Sequence, residues 1–223
     1  MHGPALVRHA LKNVENVPDR KFCDIGDIEI VPGSYELTAK RIRETVKEIK
    51  EANSAAFPMA VGGEHLITLP IIEALRPKTI IQMDAHSDTR ENYLGRKYSH
   101  ATWAFYASEI SKIIQIGLNA VSEEEKKFLA RSKNIQTLSV ADFLKFKPNI
   151  EKPVHLTIDM DVFDPSYVEA GFPEGNAKPD DVFAVLGRIV PQSMDIVEIN
   201  DDRLPSKTAF LAAELIKRVL QNV

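Results

Sequence analysis

The stretch Lys78-Thr79-Ile80-Ile81-Gln82-Met83-Asp84-Ala85-His86-Ser87-Asp88 decides the fold. A short, largely apolar run reads as a strand covered on both faces, the kind of strand found in parallel sheets sandwiched by helices. It feeds directly into three metal-capable side chains, Asp84, His86 and Asp88. In an extended chain these alternate positions share one face. Open parallel sheets bind ligands beyond the carboxyl ends of their strands, which is where this acidic, imidazole-bearing patch falls. Such a patch repels itself unless a cation sits in it.

Working outward, two further segments repeat the pattern. Phe57 to Val61 is a short apolar strand, then Gly62-Gly63-Glu64-His65 leads into a helix over Leu66 to Leu75, so His65 lies at a strand end. Val154 to Ile158 is a strand that runs into Asp159-Met160-Asp161. Ile113–Gly117, Ile135–Leu138 and Asp195–Ile199 are expected as strands, and Phe22–Val31 alternates toward its end like a half-exposed one, giving about seven. Helical spacing marks 4–15, 35–52, 100–106, 122–131 with Ser122 as its cap, 180–190 and 208–219. The alternation predicts a single α/β domain over residues 1–223, a three-layer sandwich with a mainly parallel sheet. The long Pro- and Gly-containing loop from Val162 to Pro179 reads as functional.

Composition narrows the classes. The 223 residues are enough for one large core. A net charge of -4 argues against nucleic acid as partner and suits a cationic one. No apolar run approaches the roughly 18 residues of a membrane span, and no signal segment stands at the amino end, so no membrane partner and a cytoplasmic setting are expected. The single cysteine, Cys23, excludes an intrachain disulfide and is expected to be a small buried apolar residue. His2 and His9 read as solvated, Asp164-Pro165 as a turn, and His155, four residues deep in a strand, as a satisfied core histidine.

The candidate ligands are therefore His65, Asp84, His86, Asp88, Asp159 and Asp161. Six ligands rich in carboxylate are too many for one tetrahedral zinc, whereas two divalent ions of borderline hardness fit them, with Mn2+ the natural choice. Two ions about 3.5–4 Å apart would acidify a shared water enough for it to attack an electrophilic carbon.

Gly62-Gly63-Glu64-His65, Asp84-Ala85-His86-Ser87-Asp88, Ser99-His100-Ala101, Thr157-Ile158-Asp159-Met160-Asp161-Val162-Phe163-Asp164-Pro165 and Val197-Glu198-Ile199-Asn200 occur in the order and approximate spacing of the ureohydrolase family. The chain thus resembles the arginases and agmatinases, from about His2 to Leu220, and looks most like archaeal agmatinases. The resemblance implies two Mn2+ ions per chain, one held by His65, Asp84, Asp88 and Asp159 and the other by Asp84, His86, Asp159 and Asp161, with Asp84 and Asp159 bridging. It implies catalytic roles for Asp88 in proton handling, for His100 as the proton shuttle, and for Glu198 as the carboxylate that pairs with the substrate guanidinium. It further implies hydrolysis of a small cationic guanidino substrate, agmatine first, to putrescine and urea, a place in polyamine biosynthesis, and a homo-oligomer, trimer or hexamer.

Departures from the family pattern set further expectations. Relatives begin with a strand and a Gly- and Arg-rich loop before the segment resembling Gly3–Ala10, so one strand of the usual eight is expected to be absent. The loop that usually reads Pro-Glu-Pro-Gly-Gly is here Pro173-Glu174-Gly175-Asn176-Ala177-Lys178-Pro179, and Leu66 stands where serine is common. Rival readings are an arginase or other guanidino-acid ureohydrolase, for which Arg90, Asn92, Arg96 and Lys97 are candidate carboxylate donors, a single-zinc deacetylase-like hydrolase that would not need His65 or Asp161, and a noncatalytic relative.

Overall fold

In the computed structural model, which describes residues 2–15, 22–146 and 148–223, six strands form one sheet in the order β1-β6-β5-β2-β3-β4. They are β1 (Met59–Val61), β2 (Thr79–Met83), β3 (Lys112–Ile116), β4 (Ile135–Leu138), β5 (Val154–Asp159) and β6 (Ser193–Val197). Every pairing is parallel. Parallel neighbours need crossovers, which α3 (Thr68–Leu75), α4 (Trp103–Ala107), α5 (Glu123–Arg131), α6 (Val140–Lys145) and α7 (Pro179–Leu186) provide, while α1 (Gly3–Leu11) and α2 (Tyr35–Ala52) precede β1 and α8 (Lys207–Asn222) follows β6.

Alternation along the central strands splits the core in two. Ile81, Met83, Leu156, Ile158, Met194 and Ile196 face one way, beneath α1, α7 and α8. Ile80 and Ile113 face the other way, against Leu69 and Ile72 of α3 and Trp103 of α4. Helix α2 packs outside α3 through Ile42, Val46 and Ile71. The three-layer arrangement follows from strands that are apolar on both faces.

Helix starts follow local chemistry. The Ser122 side chain accepts from Glu125 N while Glu125 accepts from the Ser122 backbone, a reciprocal cap that fixes α5 where the sequence places it.

Three expectations are corrected. Phe22–Val31 forms no strand, so the described residues carry six strands rather than about seven. Ile28 packs against the α2–α3 core, but Ile25 and Ile30 are exposed, and the segment is tied down by side chains: Arg8 bridges Asp24 and Asp27, and Thr38 Oγ1 accepts from Val31 N. Alternation alone cannot make a strand without a ladder partner. Cys23 lies in this segment and is exposed, not buried. Helix α6 was not expected; Phe143 is buried there, with Val140 and Leu144 packed beside it on the core.

Candidate metal centre

The ligand candidates converge at the carboxyl ends of β1, β2 and β5, though not by the alternation that first suggested it. Strand β2 stops at Met83, and the chain then turns, with Asp88 in a left-handed conformation at φ 53°. That is uncommon for a residue other than glycine and marks a geometry imposed by its surroundings.

His65 opens a short 3-10 turn after β1 and is fully buried, its ring 4.6 Å from that of Trp103. Its Nε2 lies 2.9 Å from Thr157 Oγ1. Its Nδ1 lies 3.2 Å from Asp84 Oδ2, 3.3 Å from Asp88 Oδ2 and 3.0 Å from Asp159 Oδ2. None of these meets hydrogen-bond geometry, so among the described residues Nδ1 is a buried polar atom with no partner. Buried polar atoms are almost always satisfied, and an imidazole nitrogen aimed at three carboxylate oxygens is satisfied by a cation placed among them.

Beside it, His86 Nδ1 lies 2.8 Å from Asp161 Oδ2 and 3.7 Å from Asp84 Oδ1, while its Nε2 lies 2.6 Å from Glu174 Oε2. Two groups can therefore hold an ion, His65 with Asp84 and Asp159, and Asp84 with His86 and Asp161, each with ligand atoms within 4.8 Å of one another. Asp84 belongs to both. Asp159, which the resemblance also makes a bridge, gathers here with the His65 group, and its Oδ1 accepts from Asp161 N at 2.8 Å. Asp88 Oδ2 accepts from the Trp103 indole at 2.8 Å. The donor set is oxygen-rich with two imidazoles, which suits divalent ions of intermediate hardness.

The electrostatics describe the same crowding. Burial and then the Asp84 charge push Asp88 up to about 7 and Asp161 up to about 6. Burial and the neighbouring Asp161 and Asp84 charges hold Asp159 well above the usual range. Burial would also raise Asp84, but the two imidazoles outweigh it and hold Asp84 down. Burial would lower His86, yet Asp161 and Asp84 push it up to about 12, and His65 is raised likewise by Asp159, Asp84 and Asp88. Protons on the cluster do the charge-balancing that cations would do.

A cavity of about 290 Å³ opens beside the cluster, lined among others by Asp88, His100, Phe172, Glu174 and Glu198. Glu198, at φ 58°, accepts from His65 N at 3.0 Å and from Asn200 Nδ2 at 3.3 Å. His100 is partly buried, with its ring 5.4 Å from Tyr93 and 5.9 Å from Phe172, and the Glu64 carboxylate 3.7 Å from its Nδ1 raises its pKa. Of the four candidate carboxylate donors, Arg90 alone is part of that lining, with its guanidinium over Tyr93 and its Nε 3.6 Å from Glu125 Oε2.

Residues that sequence reasoning missed support the ligands from behind. Gln82 Nε2 donates to Asp84 Oδ2 at 2.8 Å, Thr157 holds His65, and Glu174 holds His86. Gln82 and Thr157 are polar residues inside apolar strands, two positions before an aspartate, and that parity was a usable signal. Trp103 carried none beyond its place three residues after His100.

Comparison with known proteins agrees with the geometry. The arginase family model matches residues 1–221. The chain is 36% identical to the N(1)-aminopropylagmatine ureohydrolase of Thermococcus kodakarensis, covering 96% of this chain and 81% of the relative. It is 33% identical to the agmatinase of Pyrococcus horikoshii, over 98% and 83%. Among solved structures, a putative agmatinase from Clostridium difficile superposes with a TM-score of 0.86 at 28% identity, covering 99% of this chain and 90% of the other. With a family match over nearly its whole length, a parallel six-stranded sheet of the same architecture and a shared aspartate between two ligand groups, the chain belongs to the arginase family.

Proposed function

We propose that this chain is a ureohydrolase that holds two Mn2+ ions and cleaves a guanidino compound, with agmatine giving putrescine and urea as the leading reaction. The observation that carries the reading is the orphaned Nδ1 of His65 among three carboxylate oxygens, beside a second ligand group that shares Asp84. His65, Asp84, Asp88 and Asp159 would hold one ion, and Asp84, His86, Asp159 and Asp161 the other. When bound, the pair supplies a water-derived nucleophile at neutral pH and charge stabilisation for the transition state.

The chain's own residues do the rest. Glu198 spends only part of its acceptor capacity on His65 N and Asn200, and a carboxylate has room for the N–H groups of a planar guanidinium. That contact orients the guanidinium carbon toward the cluster. Asp88, buried beside the ligand groups with its Oδ2 3.3 Å from His65 Nδ1, is placed to take up a proton as the nucleophile adds. His100, at the cavity wall and with its pKa raised by the Glu64 carboxylate, is suited to give a proton to the departing amine.

The cavity wall supports an amine tail on the substrate. Its lining includes Asp88, Glu125, Asp159, Asp161, Glu174 and Glu198 but a single Arg or Lys, Arg90, which already faces Glu125 and stacks on Tyr93. The agmatine unit in the names of both archaeal relatives points the same way. A homo-oligomer, trimer or hexamer, is part of the proposal, and light scattering on the purified protein tests it.

Urea release from agmatine, N(1)-aminopropylagmatine, arginine and guanidinobutyrate by the Mn-loaded protein decides the matter. Turnover of an amine-tailed compound is expected. Turnover of arginine or guanidinobutyrate in preference would replace agmatine as substrate, and urea from none of the four would end the ureohydrolase reading.

A further inference from the structure

Behind the ligands, on the same face of the sheet, runs a row of buried polar side chains. Register pairs Gln115 with Gln82, Gln82 with Thr157, and Thr157 with Asp195, so the row crosses β3, β2, β5 and β6 one side-chain step below Asp84 and Asp159. Asp195 and its neighbour His155 are both fully buried and touch neither the cavity nor a ligand group. A buried acid and histidine cost stability unless they are paired, and here they pair with each other: His155 Nε2 lies 2.8 Å from Asp195 Oδ2, and His155 Nδ1 lies 2.8 Å from Ser193 Oγ.

The direction of the hydrogen bonds follows from donor counting. A carboxylate flanked by an imidazole and a hydroxyl accepts from both, so Asp195 takes a hydrogen bond from His155 Nε2 and one from Thr157. Thr157 Oγ1 therefore gives its single proton to Asp195 Oδ1, at 2.6 Å. Having no second proton, Thr157 must accept from His65, whose Nε2 stands 2.9 Å away. His65 thus keeps its proton on Nε2, and the nitrogen that must shed one on binding an ion is Nδ1, the atom aimed at Asp84, Asp88 and Asp159.

We infer that Asp195, held by His155, is a positioning residue for the metal centre, acting through Thr157 to fix which nitrogen of His65 faces the ion. Without an acceptor at position 195 the Thr157 hydroxyl is free to turn its proton toward His65 Nε2, which places the His65 proton on Nδ1 and blocks it as a ligand. The effect falls first on the ion held by the His65 group, Asp84 being shared with the other. The remaining members of the other group, His86 and Asp161, hydrogen-bond each other and Glu174 but neither Thr157 nor Asp195. The inference rests on the two-ion reading above.

The test is Mn2+ titration by calorimetry, with metal counted after dialysis, on wild type, Asp195→Ala and Asp195→Asn, alongside apo-protein melting. Asp195→Ala is expected to bind one of its two ions about 10-fold more weakly, the low end of the loss when the direct partner of a ligating histidine is removed, because Asp195 acts one bond further out, while the other ion is weakened less. Asp195→Asn keeps a carbonyl oxygen for Thr157, its amide faces His155, and His155 can instead donate to Ser193; near-wild-type binding of both ions is expected. Two tight ions in Asp195→Ala, equal weakening of both, or an Asn variant as defective as the Ala variant would each overturn the role. If Asp195→Ala does not fold, neutron diffraction of the wild type decides: a deuteron of Thr157 directed at Asp195 upholds the inference, and one directed at His65 refutes it. A wild type that takes up no ions fails the metal reading, and the Thr157 deuteron then still reports on the hydrogen-bond direction by itself.

Discussion

Trp103 and Asp88 are joined by a buried hydrogen bond, indole Nε1 to carboxylate Oδ2, 2.8 Å long, and that same oxygen stands 3.3 Å from His65 Nδ1. One side chain thus positions a candidate ligand through its edge and packs on another through its ring. Trp103→Phe keeps most of the packing and deletes the donor. A hydrogen bond to a charged group is worth about 1.5–3 kcal/mol, so a lower melting temperature and a 10-fold or greater loss in affinity for one ion are expected. Thermal melting and Mn2+ titration measure both; unchanged affinity would show that the indole only fills space.

Stripping the metal should make stability fall as pH rises. Asp88 and Asp161 have folded-state pKa values raised to about 7 and about 6, so each binds a proton more tightly folded than unfolded, and the stability they add is lost between about pH 4 and 7. His86, raised to about 12, adds stability that is complete below its unfolded value near 6.5 and is lost above it. Asp84 is lowered, so its contribution is lost only in acid, below about pH 4. The gap in melting temperature between Mn-loaded and EDTA-treated protein is therefore expected to widen from pH 5 to pH 9, as scanning fluorimetry would record. A constant gap would contradict the crowded-carboxylate picture.

Gly175 sits where a side chain cannot. A Cβ there would collide with the Asp161 carbonyl oxygen and the Val162 backbone. Gly175→Ala should push the 172–176 loop off the site and carry Glu174 away from His86, while the sheet stays intact. Circular dichroism close to wild type combined with a large drop in urea release is expected. Full activity would mean that the loop has no part in catalysis.

His100 owes its raised pKa first to Glu64. If the protonated ring serves the leaving amine, activity falls as pH rises through that pKa. Glu64→Gln removes the charge, lowers the pKa, and should move the alkaline limb of the kcat profile to lower pH. His100→Asn should cost about 10²- to 10⁴-fold in kcat, the usual worth of a general acid. An alkaline limb that stays put in Glu64→Gln would assign it to another group.

Glu198→Gln keeps shape and removes charge. The loss of a charge-assisted contact to guanidinium, about 1.5–3 kcal/mol, predicts roughly a 10- to 150-fold drop in kcat/KM with both ions still bound. Steady-state kinetics and metal counts on one preparation separate the two.

Much of this was legible in order along the chain. The apolar runs that end in Asp84 and Asp159 mark buried strands because burial on both faces leaves no alternative composition, and ligands past their ends follow from the architecture. Ser122 marked its helix because a cap is a local device. Phe22–Val31 misled because apolar alternation reports a half-buried surface, whatever covers it. Glu174, Trp103 and Asp195 act on residues 88, 15 and, through Thr157, 130 positions away, and only the fold brings such pairs together.

The pairing of β1 with β6 has a temporal consequence. Met59 lies opposite Met194, and Glu198 reaches back to the backbone of His65, 133 residues earlier. Contacts that distant close slowly, because the entropy of a long loop is lost before the contact forms. On the ribosome, the emerging chain exposes Asp84, His86 and Asp88 well before Asp159, and all of them before Glu198. The order of synthesis thus leaves Asp84, His86 and Asp88 without the groups that Asp159 and Glu198 bring until the last strands dock, so the centre is completed late in folding.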